Sequence, residues 1–255
     1  MRMTMAAFAA LMIASPLAAH PASPAVTDPA PDAAHPASMV ALVIPAENGA
    51  MNAVIYRAAG EGPHPTLLLL HGFPGNEQNL DLAQAARRAG WNVLTLHYRG
   101  SWGSPGSFSF THAAEAAHTA LAFLRDPANV ARYGIDPRRI ALAGHSMGGF
   151  MATDVGADDP GVIGLFLIDP ANMGGTGAML SDPAVAQAWH AEVVGDLPPL
   201  AGTSEAALTH EITSQSERFD LRRRIMAYGD RPLAIYGAAR GIGAAPNQAL
   251  IDAAE

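Results

Sequence analysis

Gly144-His145-Ser146-Met147-Gly148 contains the serine best placed to act as a nucleophile. It follows the apolar run Ile140-Ala141-Leu142-Ala143 and leads into a helical pattern beginning Gly149-Phe150-Met151-Ala152. A serine on a sharp strand-to-helix turn projects its hydroxyl from the sheet edge, and the flanking glycines let strand and helix approach closely. The N–H groups that open the following helix have no intrahelical partners and carry the positive end of its dipole. That arrangement suits attack on a carbonyl whose oxygen becomes an oxyanion.

A second glycine turn lies upstream, where Thr66-Leu67-Leu68-Leu69-Leu70 runs into His71-Gly72-Phe73-Pro74-Gly75. In a serine hydrolase the second oxyanion donor is a backbone N–H from the loop after this strand, and here the expected donor is that of Phe73. His71 is expected to brace the loop.

Composition narrows the chemistry. The 255 residues include no cysteine, and all 15 basic residues are arginine. Thiolate nucleophiles, Ser-Lys dyads, Schiff bases and a P-loop lysine are therefore excluded, so an activated serine must depend on histidine or carboxylate. The formal charge is -8, and the only basic run, Arg222-Arg223-Arg224, is expected to be a solvated helix face, which argues against a nucleic-acid partner. The Asp and His residues lack the grouped spacing of a metal site, and no motif calls for a cofactor. The expected partner is a small-molecule ester or a peptide; oligomeric state is not legible.

The elements that must position these residues follow an α/β order. Residues 39–44 and 51–57 read as a hairpin opening the sheet, and 66–70 as a central strand covered on both faces. Residues 77–89 read as a helix capped by Gly90, 91–97 as a strand, 98–110 as a Gly/Ser-rich aromatic loop at the same sheet edge, and 111–124 as a helix. After the Ser146 turn come a strand at 162–168, a strand at 232–237 and a helix at 246–254. This alternation predicts a doubly wound, mostly parallel sheet within one domain spanning 39–255. Residues 172–229 interrupt it with amphipathic pieces at 183–194 and 204–212, as a helical cap insertion would. Ahead of the domain, residues 1–19 have one charge at Arg2, an apolar stretch and a small-residue exit, the pattern of a signal peptide for periplasm or medium. The apolar stretch is too short for a stable membrane span, and residues 20–38 form an Ala/Pro-rich linker.

With these pieces together, the chain resembles the α/β-hydrolase fold superfamily over about residues 39–254. The resemblance rests on His71-Gly72-Phe73-Pro74-Gly75, Tyr98-Arg99-Gly100-Ser101-Trp102-Gly103 and Gly144-His145-Ser146-Met147-Gly148-Gly149. The last two are similar to stretches in prolyl-oligopeptidase-like peptidases and their esterase relatives. The resemblance implies Ser146 as nucleophile and the N–H groups of Met147 and Phe73 as oxyanion hole. In the family the acid usually follows the strand that here ends at Tyr236, but residues 237–245 hold no carboxylate. Some members take it from the preceding strand, which here offers Asp169. None of the ten histidines occupies the family's position for the base, so the last strand and the base are expected beyond Glu255, in a shortened and weakly active hydrolase. The alternative is a noncatalytic protein of the same fold that binds a ligand or partner.

Overall fold

The computed structural model describes residue 23 and residues 26–238. The expected leader at 1–19 and the expected helix at 246–254 lie outside the described residues. Seven strands form one sheet: β1 (Ser38–Ala46), β2 (Gly49–Arg57), β3 (His64–Leu70), β4 (Asn92–Leu96), β5 (Ile135–His145), β6 (Val162–Ile168) and β7 (Leu233–Tyr236). Their order is β1-β2-β4-β3-β5-β6-β7, antiparallel at the β1–β2 and β2–β4 pairings and parallel from β4 to β7. The expected hairpin and parallel sheet are both present.

Alternation along the central strands assigns side chains to two faces. Leu68 and Leu70 of β3, Leu94 of β4 and Leu142 of β5 face one core, whereas Leu69, Val93 and Ala143 face another. Helix α1 (Leu80–Arg88) covers the second, smaller core through Ala83. The larger core lies under α2 (Phe110–Arg125) and α4 (Met147–Asp158), which present Ala113, Ala117, Phe150 and Met151 among others, all fully buried. Small alanines at the α2 contact let that helix lie close to its neighbours.

A short helix, α3 (Pro127–Tyr133), was not foreseen from the sequence; Asp126 starts it by accepting from the N–H groups of Ala128 and Asn129, and Pro127 occupies a first-turn position that needs no donor. Between β6 and β7 the regular elements are four helices: α5 (Met173–Met179), α6 (Pro183–Asp196), α7 (Glu205–Ser214) and α8 (Leu221–Tyr228). Helix α8 is the crossover that returns the chain to the sheet. It is fastened to α4 by Arg224, which forms an ion pair at 2.9 Å with buried Asp154 and donates to Asp158 at 2.5 Å. The reading of 222–224 as a solvated face therefore holds for Arg222 and Arg223 and fails for Arg224, because a carboxylate buried in α4 needs a cation. Among the described residues no helix is long and apolar enough to cross a membrane.

The excursion α5–α7 is tied at its stem. Asn172 Oδ1 accepts from the N–H groups of Gly175 and Leu221, at 3.0 Å each, and its Nδ2 donates to Asp220 at 3.1 Å. One side chain thus caps the helix at which the excursion begins and the helix that follows its end.

Candidate active site

Ser146 sits between β5 and α4 with φ 53° and ψ -121°, a backbone conformation that non-glycine residues adopt only under constraint. The constraint is tight packing on all sides of the turn. A Cβ at Gly144 would lie 2.0 Å from the carbonyl oxygen of Gly148, and one at Gly148 would lie 2.1 Å from that of Leu70. Only glycine fits at either position, so the helix start is pressed against the ends of β3 and β5 and the serine between is forced outward.

The loop after β3 touches the same point. A Cβ at Gly72 would lie 3.0 Å from Ser146 Cβ, so the backbone that continues into Phe73 passes in contact with the serine. Met147 is the first residue of α4, where a backbone N–H has no carbonyl one turn back to reach. The helix dipole adds partial positive charge there.

Asp169 is brought beside Ser146 by register. His145 pairs with Ile168 across the parallel β5–β6 ladder, and the Ser146 N–H donates to the Ile168 carbonyl at 3.0 Å, so the next residue on each strand leaves the sheet at the same edge. Asp169 is also left-handed, with φ 45°. Its N–H donates to Tyr236 O at 2.7 Å, and its Oδ1 accepts from the Ala238 N–H at 3.2 Å. Two constrained non-glycine residues thus lie on neighbouring strand ends.

The profile of the Alpha/beta hydrolase family matches residues 67–252, most of the chain. This chain belongs to that family. Among curated proteins it is similar to the sn-1-specific diacylglycerol lipase ABHD11 of Xenopus tropicalis, 32% identical over 117 residues, which is 44% of this chain and 34% of that protein. The match thus spans about a third of that relative's length. An uncharacterized protein of Mycobacterium tuberculosis is 33% identical over 100 residues, covering 39% of this chain and 34% of that one. Among solved structures, Est1E from Butyrivibrio proteoclasticus superposes with a TM-score of 0.62 at 15% identity, covering 84% of each chain. The alpha/beta hydrolase GrgF from Penicillium sp. sh18 gives 0.60 at 16% identity, covering 86% of this chain and 85% of the other.

In this alpha/beta hydrolase the histidines with partners among the described residues are engaged away from Ser146. His71 Nδ1 donates to Gly72 O at 2.6 Å, His97 Nε2 meets the Gln78 amide at 3.0 Å, and His190 meets Glu205 at 3.0 Å. His118 lies between Asp154 and Asp158, at 3.6 and 3.7 Å. His71 is the loop brace expected from the sequence: it is 2% exposed, its ring meets that of Tyr98 edge-on, and the Tyr98 hydroxyl donates to its carbonyl. Burial, reinforced by nearby His97 and opposed by the bond to Gly72 O, lowers its pKa from 6.5 to about 4. Unfolded His71 takes up its proton near 6.5, while the folded form stays neutral down to about 4. Within that window the unfolded state holds the extra proton, so this contribution is complete above 6.5 and drains away as pH falls towards 4, by up to about 1.4 kcal/mol per pH unit. Urea unfolding at pH 7 and pH 5 is expected to show this slope in the wild type and a shallower one in His71→Gln; parallel slopes would refute it.

Contacts with no local signal in the sequence hold the start of α2 and the loop before it. Glu211 of α7 accepts from the N–H groups of Phe110 and Thr111, at 2.9 and 2.7 Å, while Ser109 accepts from that of His112 at 3.0 Å. The first three donors of α2 are thereby satisfied, two of them by a carboxylate set on the positive end of the helix. The segment between α6 and α7 adds a backbone strap: Trp102 N–H donates to Pro199 O, Ala201 N–H to Gly100 O and Phe108 N–H to Ala201 O. The loop at 98–110 is thus clamped between the sheet and the excursion. Among the described residues no group of three or more His, Asp or Glu side chains is placed to hold a metal.

Proposed function

We propose that this chain is a serine hydrolase of carboxylic esters, with amides as the second substrate class. The observation that carries the reading is the conformation of Ser146: φ 53° on a turn pressed between two strand ends and a helix N-terminus, with the Gly72 loop against it. Strain held at one polar residue of a sheet edge is a mark of a reacting group. In this reading Ser146 Oγ bonds to the substrate carbonyl carbon as its hydroxyl proton passes to a base. The carbonyl π electrons move onto oxygen, where the N–H groups of Met147 and Phe73 receive them. Collapse expels the alcohol, which takes up the proton, and water repeats the sequence on the acyl-serine to release the acid. Asp169, one strand over, supplies the negative charge that orients a protonated base. The helices α5–α7 form the cap that keeps bulk water from the acyl-enzyme.

The name of the Xenopus relative, a diacylglycerol lipase, supports an ester substrate. The test is a fluorophosphonate probe on the folded protein, with the adduct located by peptide mass spectrometry. Attachment at Ser146 is expected. A folded sample that takes up no probe would favour the reading in which the fold binds a ligand without chemistry.

A further inference from the structure

Phe73 and Phe150, on the two elements that flank the serine, belong to one connected series of rings. Phe73, next to Gly72, has its ring centroid 5.7 Å from those of both Phe108 and Phe110. Phe110 lies 6.2 Å from Trp189 of α6 and 6.3 Å from Phe219, which in turn lies 5.6 Å from Phe150. Phe150 is one turn along α4 from Ser146. Aromatic side chains therefore link the two elements that flank the nucleophile, and Phe108, Phe110, Phe150 and Phe219 are all buried. The space between those two elements is filled by rings.

Phe110, at the centre of the series, is also held at its backbone. Its backbone N–H is held by Glu211, and the carboxylate grips the N–H of Thr111 as well. Trp189, against its ring, is fixed in turn by donating Nε1–H to Thr209 of α7 at 2.8 Å. Displacing Phe110 would break two charge-assisted hydrogen bonds at a helix N-terminus or push apart four neighbouring rings, those of Phe73, Phe108, Trp189 and Phe219.

We propose that Phe110, clamped by Glu211, restricts the acyl group accepted at Ser146 to short chains. The inference rests on the serine hydrolase reading and adds the substrate class within it. Phe110 is the specificity-determining side chain, and Glu211 is a positioning residue that acts through it.

The test uses the full chain with p-nitrophenyl alkylphosphonates bearing methyl, butyl and octyl groups, following adduct formation at Ser146 by intact mass. For the wild type the methyl compound is expected to react at least about tenfold faster than the octyl one, the discrimination a pocket obtains by failing to fit a few methylenes. Phe110→Ala is expected to bring the two rates within about threefold of each other by opening the pocket. Phe110→Leu, a milder change for a variant that must fold, moves the ratio in the same direction by less. Glu211→Ala also lowers the ratio, and Glu211→Gln, which keeps one oxygen acceptor, restores part of it. Equal methyl and octyl rates on Ser146 in the wild type would overturn the chain-length inference while leaving the nucleophile in place. A ratio unchanged in a folded Phe110 variant would overturn the role of that ring. Failure of every compound to label Ser146 would remove the serine hydrolase reading and this inference with it.

Discussion

Ser146→Ala is expected to abolish the ester hydrolysis of this chain, because the substitution removes the nucleophile. Stability is expected to change by no more than about 0.5 kcal/mol, because Oγ is lost from a part-exposed turn and the backbone requirement stays the same. Ser146→Gly separates the two properties further. It is equally inactive, yet glycine accepts φ 53° freely, so it should be more stable than the wild type by about 1–3 kcal/mol. Steady-state turnover of p-nitrophenyl acetate and urea unfolding of the three proteins check both halves. Turnover retained by Ser146→Ala would remove this residue from the mechanism, and a less stable Ser146→Gly would remove the strain.

Gly148→Ala should be strongly destabilising. The added carbon would lie 2.1 Å from the Leu70 carbonyl oxygen and 2.6 Å from that of His71. Both are backbone atoms at the end of a central strand, so no side chain can rotate away, and α4 has to shift off the sheet. A cost above about 4 kcal/mol is expected, with activity lost even in the fraction that folds, since the shift carries Ser146 away from the Gly72 loop. Gly195→Ala in α6 is the control: nothing lies within 4 Å of its added carbon, and alanine in a helix should be neutral or stabilising by up to about 1 kcal/mol. Comparable destabilisation by the two substitutions would show that the Gly148 effect is not steric.

Much of this architecture is legible in the sequence because it rests on local chemistry. The apolar run at 66–70 reads as a strand covered on both faces, and the Gly144, Ser146, Gly148 spacing, set between an apolar run and a helical pattern, reads as a turn where strand and helix nearly touch. Asp169 is less legible: its candidacy depends on residues 237–245 lacking a carboxylate, while its position beside Ser146 follows from a strand register that no local pattern encodes. Glu211 was not legible at all. In sequence it is one exposed-looking acid of α7, and its partners, the N–H groups of Phe110 and Thr111, are a hundred residues away in the chain. The aromatic residues of 98–110 were visible as a group, but their contacts with Trp189 and Phe219 arise only when the excursion folds back across them. Arg224 shows the same limit, since its neighbours Arg222 and Arg223 are solvated and only the buried Asp154 distinguishes it.

The stem at Asn172 and Asp220 has a consequence for how such a chain can change over generations. Closing a loop costs an entropy that grows only with the logarithm of its length, about 0.6 kcal/mol for each doubling. Because one amide side chain joins the excursion's entry to its exit, whatever hangs between them can lengthen, shorten or be replaced while every strand keeps its neighbours. The sheet and its strained serine would be inherited nearly intact, and the stretch from α5 to α7 would be the exchangeable part, coupled to the rest through the stem, the strap at 199–201, Glu211 and the packing of Trp189, Val193, Leu208 and Ile212 against the core. Lineages that altered those few contacts could acquire a new lining for the site without rebuilding the molecule that supports it.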